Sequence, residues 1–219
     1  MAIKENLDKI NNALPKEVTL VAVSKTKPVE TILEAYEAGQ RIFGENKIQE
    51  MANKWEALPK DIEWHMIGHV QRNKVKYMAE FVSLIHGVDS LRLLAEINKQ
   101  AQKHNRIIPC LLQLHIAEES TKFGLDEQEL NELLASETIS GLEHIKIVGV
   151  MGMATFTDNK DQIRKEFAFL KSAFERLKMK LPEINTLSMG MSGDYTIALE
   201  EGSTMVRIGS SIFGARNYH

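Results

Sequence analysis

Short apolar, β-branched runs alternate with longer amphipathic stretches along the whole 219-residue chain, and that alternation constrains the fold more than any other feature. Eight runs read as strands, at 18–24, 41–44, 63–68, 82–88, 107–115, 145–151, 184–189 and 205–209. Stretches at 28–38, 45–58, 71–79, 90–104, 126–136, 158–178 and 193–199 read as helices, with Pro28 suited to a first turn, Gly39 to a stop and Asp126 to an N-cap. Strict β–α alternation implies a parallel sheet with right-handed crossovers, and eight units is the count that closes as a (β/α)8 TIM-type barrel. A doubly wound open sheet is the alternative. It predicts a glycine-rich turn after the first strand, where this chain has Ser24-Lys25-Thr26-Lys27-Pro28. One domain over residues 1–219 is expected, short beside the usual barrel of about 250 residues.

Charge narrows the partners. With 27 basic and 30 acidic residues, a net charge of -3 and no long like-charge block, neither nucleic acid nor an acidic membrane is expected to bind. The N-terminus is charged and amphipathic, and nowhere do eighteen apolar residues run together, so a soluble, cytoplasmic protein is expected. The lone Cys110 lies in an apolar run and reads as an inert core residue of a protein from a reducing compartment.

In a barrel, functional side chains gather at the carboxyl ends of the strands. Lys25 ends the first run and Arg207 the last, and closure would put those strands side by side, so that two cations face one pocket. Alternation places Val21, Val23 and Lys25 on one face; if the valines line the interior, Lys25 points in over the mouth. A like charge and partial desolvation would both favour its neutral, nucleophilic amine. The loops after the last two strands read Ser188-Met189-Gly190-Met191-Ser192-Gly193-Asp194 and Arg207-Ile208-Gly209-Ser210-Ser211. Glycines that admit close approach, together with backbone N–H groups and serine hydroxyls, suit a phosphate, although each loop alone could be a plain turn. An amine that condenses with an aldehyde, beside a phosphate site, points to pyridoxal 5'-phosphate. Arg207 at the pyridine nitrogen would only donate, leaving that nitrogen unprotonated and the ring a weak electron sink.

Six ordered motifs carry a resemblance: Val21-Ala22-Val23-Ser24-Lys25-Thr26-Lys27-Pro28, Phe43-Gly44-Glu45-Asn46, Trp64-His65-Met66-Ile67-Gly68, Gln71-Arg72-Asn73-Lys74, Leu187-Ser188-Met189-Gly190-Met191-Ser192 and Gly202-Ser203-Thr204-Met205-Val206-Arg207-Ile208-Gly209. Over nearly the whole chain they resemble the pyridoxal phosphate homeostasis proteins of the YggS/PROSC type. The resemblance implies a barrel like the N-terminal domain of alanine racemase, with the cofactor in a Schiff base on Lys25 and no established turnover. It further implies Arg207 at the pyridine nitrogen, Ser192, Gly209 and Ser210 at the phosphate, Asn46 near the phenolic oxygen, and His65 and Met66 as walls beside the ring. His69-Val70 stands where relatives often carry a proline or histidine followed by leucine.

Two other functions share the barrel. An alanine-type racemase would use the same lysine and arginine but needs a second acid/base group, which alanine racemase takes from a tyrosine of a separate domain. The chain's Tyr36 and Tyr77 fall in helix candidates, Tyr195 follows the phosphate loop and Tyr218 lies in the tail, so a carrier is expected over an enzyme. A phosphosugar-binding barrel would keep the anion loops and leave Lys25 and Arg207 without a joint purpose. A monomer is expected, with apoenzymes that require pyridoxal phosphate as possible recipients. His65 and His69 straddle a strand end and do not read as a metal site, and His86 shows no partnering pattern. Lys27 and the stretch from Gln71 to Lys74 read as solvated. Met151, Met153 and Met189 are expected beneath the pocket, and Phe167, Phe169, Leu170, Phe174 and Leu177 along a core-facing helix stripe.

Overall fold

A computed structural model describes residues 2–119 and 123–214. Its eight strands are β1 (Thr19–Val23), β2 (Ile42–Glu45), β3 (Glu63–Met66), β4 (Leu84–Val88), β5 (Ile108–Gln113), β6 (Ile145–Met151), β7 (Thr186–Met191) and β8 (Met205–Ile208). All pair in parallel with their sequence neighbours, and β1 pairs with β8, closing the barrel. Between the strands lie α2 (Val29–Glu37), α3 (Ile48–Ala57), α4 (Leu91–Lys103), α5 (Glu127–Ala135), α6 (Glu137–Ser140), α7 (Lys160–Lys180) and α8 (Tyr195–Glu200), with α1 (Ala2–Ala13) before β1 and α9 (Ser210–Phe213) after β8. Among these residues no helix is long and apolar enough to cross a membrane.

Strand alternation divides the apolar side chains into two sets. Phe43, Trp64, Met66, Ile85, Cys110, Leu112 and Val206 face outward and bury themselves under the helices. Val21, Ile67, Leu84, Leu111, Met151 and Met205 form a smaller cluster inside the barrel. The outer layer is sealed by helix stripes such as Phe167, Leu170, Phe174 and Leu177 of α7, which are all buried. Phe169 does not join that stripe and is 40% exposed, because two residues advance a helix by about 200°. The thiol of Cys110 is fully buried and pushed well up by that burial, so it is inert.

Other departures have local causes. The stretch at 71–79 is not an α-helix but a 3-10 segment, Arg72–Tyr77, whose Val75 is buried while Gln71 to Lys74 stay exposed. The candidate helix at 45–58 begins only at Ile48, since Glu45 still belongs to β2. Met189 faces outward with Leu187, the face opposite Ser188. The amphipathic N-terminus is the helix α1, which packs Leu7 and Ile10 against the barrel's flank and donates from Asn6 Nδ2 to Ile212 O of α9 at 2.9 Å.

Candidate functional site

A cavity of about 730 Å³ opens at the carboxyl ends of the strands. Lys25, Asn46, Ser192, Arg207, Gly209 and Ser210 line it, six of the eight residues singled out from the sequence. His65 and Met66 do not. Met66 points outward into the helical layer, and the inward-facing His65 is buried, 4% exposed, without reaching the cavity.

Lys25 and Arg207 enter at different depths. Val21 stands opposite Arg207 in the β1–β8 register, and Lys25 follows beyond the end of β1, in the turn after Val23. Lys25 therefore lines the cavity at its rim and Arg207 at its floor. Lys27 is half-buried rather than solvated: its Nζ donates to Phe213 O at 3.1 Å, tying the β1 loop to the end of α9.

Arg207 is 3% exposed and held by two acceptors, Ser188 Oγ through Nη1 and Gly152 O through Nη2 at 3.1 Å. Burial draws its pKa down to about 10, with nearby Asp194 opposing, so the guanidinium stays cationic at neutral pH. Behind Ser188 runs a chain of buried side chains: His86 Nδ1 lies 3.0 Å from Ser188 Oγ, and His86 Nε2 lies 3.0 Å from His65 Nδ1. Arginine can only donate, so Ser188 accepts from Arg207, while the tautomers of the two histidines set the direction of the bonds beyond it. Both rings are neutral in this chain: burial takes His65 down to about 3, and burial, then His65 and Arg207, lower His86 well below the usual histidine value. Sequence reading missed His86, although its inward position on β4, two residues after Leu84, carried the signal.

The two glycine-serine loops meet above this floor. Gly209 N–H donates to Ser192 Oγ at 3.2 Å, joining the ends of β7 and β8. Met191 N–H donates to Asp194 Oδ1 at 2.6 Å, which closes the loop from Met191 to Asp194. A side chain at Gly209 would press on Val23, its Cβ lying 3.2 Å from Val23 O. Gly68 has a parallel role across the barrel, since a Cβ there would stand 2.4 Å from Asn46 O. The outer rim carries His69, stacked on Phe123 at 4.1 Å, and Phe156, which is 95% exposed. His65 and His69 thus point to different places, and among the described residues no group of three could hold a metal ion. Tyr36 bonds Asp61 on the outside, Tyr77 is exposed outside the cavity and Tyr195 opens α8; Tyr218 lies outside the described residues.

Residues 1–217 match the family described as alanine racemase, N-terminal domain. A pyridoxal phosphate homeostasis protein from Vibrio alginolyticus is 41% identical, with 99% of each chain covered. The structure of PipY from Synechococcus elongatus with PLP bound superposes with a TM-score of 0.88 at 35% identity, covering 97% of this chain and 100% of that one. An alanine racemase from Clostridium difficile shares the fold, with a TM-score of 0.79 at 15% identity, but this chain covers only 57% of it. With relatives matched end to end at such identity, the chain belongs to the pyridoxal phosphate homeostasis protein family, built on the alanine racemase N-terminal domain fold.

Proposed function

We propose that this protein binds pyridoxal 5'-phosphate in the strand-end cavity and serves intracellular vitamin B6 homeostasis as a carrier rather than through turnover. The observation that carries the reading is the convergence of a lysine amine, a buried guanidinium and two glycine-serine loops on one cavity. That donor set fits a ring bearing an aldehyde at one position and a phosphate at another. The PLP-bound PipY structure and the homeostasis relatives support the same ligand.

Lys25 supplies the amine that takes the aldehyde carbon. Arg207 meets the ring nitrogen as a donor, Ser192, Gly209 and Ser210 hold the phosphate, and Asn46 reaches the ring's oxygen substituent. The cofactor's ring withdraws electrons from an attached carbon, and a donor-only arginine keeps that pull weak, which suits storage better than carbanion chemistry. His65 acts from beneath, through His86 and Ser188, and Met66 only packs the outer layer. A cytoplasmic monomer that hands the cofactor to apoenzymes is consistent with the open rim.

Borohydride treatment of loaded protein, followed by peptide mapping, is expected to leave the reduced cofactor on Lys25. Unmodified Lys25 in fully loaded protein would overturn the assignment, as would an unchanged visible absorption band in Lys25→Ala.

A further inference from the structure

The turn that presents Lys25 is gripped from outside the cavity by a buried ionic cluster to which the binding reading gives no role. Lys27 N–H donates to Ser24 O at 3.0 Å, so residues 24 to 27 form a β-turn with Lys25 and Thr26 at its centre. Thr26 has φ +63°, a conformation that crowds a β-branched side chain and that turns of this kind usually give to glycine. Such a residue persists only where its surroundings hold it in place.

The surroundings here are Lys54, Glu45 and Glu50. Lys54 Nζ, on α3 and 6% exposed, donates to Ser24 O at 2.8 Å, to Glu45 Oε1 at 2.7 Å and to Glu50 Oε1 at 2.7 Å. Glu45 is fully buried and accepts from Ser24 Oγ at 2.5 Å, while Glu50 Oε1 accepts from Thr26 N–H at 2.6 Å. Two carboxylates and one ammonium therefore hold the residue before Lys25 and the residue after it, without lining the cavity themselves. The remaining oxygen of Glu45 has no hydrogen-bond partner, an unfavourable burial that packing alone does not explain.

We infer that Lys54, with Glu45 and Glu50, is a positioning device for Lys25, clamping Ser24 and Thr26 so that the strained turn keeps the lysine amine directed into the cavity. Lys54 is the keystone because its one ammonium bonds the Ser24 carbonyl and both carboxylates. The inference rests on the proposal that Lys25 is the residue that takes the aldehyde.

The test uses two probes on the full chain. Pyridoxal 5'-phosphate reports covalent capture, read by borohydride trapping and peptide mapping. Pyridoxine 5'-phosphate, which has an alcohol in place of the aldehyde, reports the phosphate and ring contacts alone. In Lys54→Met, capture at Lys25 is expected to slow by about tenfold or more, while the dissociation constant of pyridoxine 5'-phosphate stays as in wild type. Glu50→Gln, at a partly exposed position, should slow capture in the same direction and carries the test if Lys54→Met fails to fold; Lys54→Arg should restore part of the rate. Capture at the wild-type rate in both Lys54→Met and Glu50→Gln would overturn the inference, and so would equal loss of both probes, which would make the cluster a support of the whole pocket. Failure of the wild-type protein to trap cofactor on Lys25 would instead overturn the binding proposal itself.

Discussion

Ser188 links the cavity to the barrel's interior, and its hydroxyl bridges the Arg207 cation and a pair of neutral imidazoles. Ser188→Ala would strand Arg207 Nη1 and His86 Nδ1 together, each costing about 1–3 kcal/mol. A clear fall in the urea unfolding midpoint is expected, with cofactor affinity weakened because Arg207 loses one of two tethers; an unchanged midpoint would mean that the bond does not form. Legibility at this scale followed charge and glycine. The placement of Lys25, Arg207, Ser192, Gly209 and Ser210 at the cavity was readable because a cation or a flexible backbone at a strand end has few other uses. Met66 was misassigned because a motif specifies neighbours in sequence, whereas alternation had already sent it outward. His86 was missed because its partners are far away in sequence, His65 on the adjacent strand β3 and Ser188 across the barrel on β7, 21 and 102 residues away.

Elements were legible wherever periodicity was sustained, as in α7 and β6, and less so where a tertiary bond set the boundary. The start of α3 moved to Ile48 because Glu45 is spent on Ser24 and Lys54, which keeps that segment extended as a strand. The stretch after β3 reads as an α-helix over 71–79 and is a shorter 3-10 segment, because six residues with one buried side chain carry too little period to distinguish the two. At this scale the close approach of the β2 and β3 ends yields a prediction. Gly68→Ala would drive a methyl group to within 2.4 Å of Asn46 O, a backbone atom that cannot swing aside. The two loops must part, so affinity for pyridoxal 5'-phosphate is expected to drop in equilibrium titration together with a loss of stability of about 1–3 kcal/mol. Affinity and stability matching wild type would show that the loops are looser than drawn.

For the whole molecule, two buried titrations pull stability in opposite directions as pH falls. His65 is held at about 3, below its ordinary 6.5, so the stability tied to its neutral form is present above pH 6.5 and lost on descending toward 3. Glu45 is pushed up to about 7 by burial, against the pull of Lys54 and Ser24, so its contribution is greatest below pH 4.5 and is lost as pH rises through 7. Glu45→Gln is therefore expected to gain stability relative to wild type at pH 8 compared with pH 5, measured by urea unfolding at each pH. A gap that does not widen would contradict the raised carboxyl. The seam between β1 and β8 has a further consequence, for biosynthesis. Val21 must wait for Arg207, which a ribosome adds 186 residues later, so over that span the nascent chain carries Lys25 without the guanidinium that floors the cavity. If the cavity binds the cofactor as proposed, capture requires a finished barrel, and a stalled product that never places β8 is left without the floor of the site.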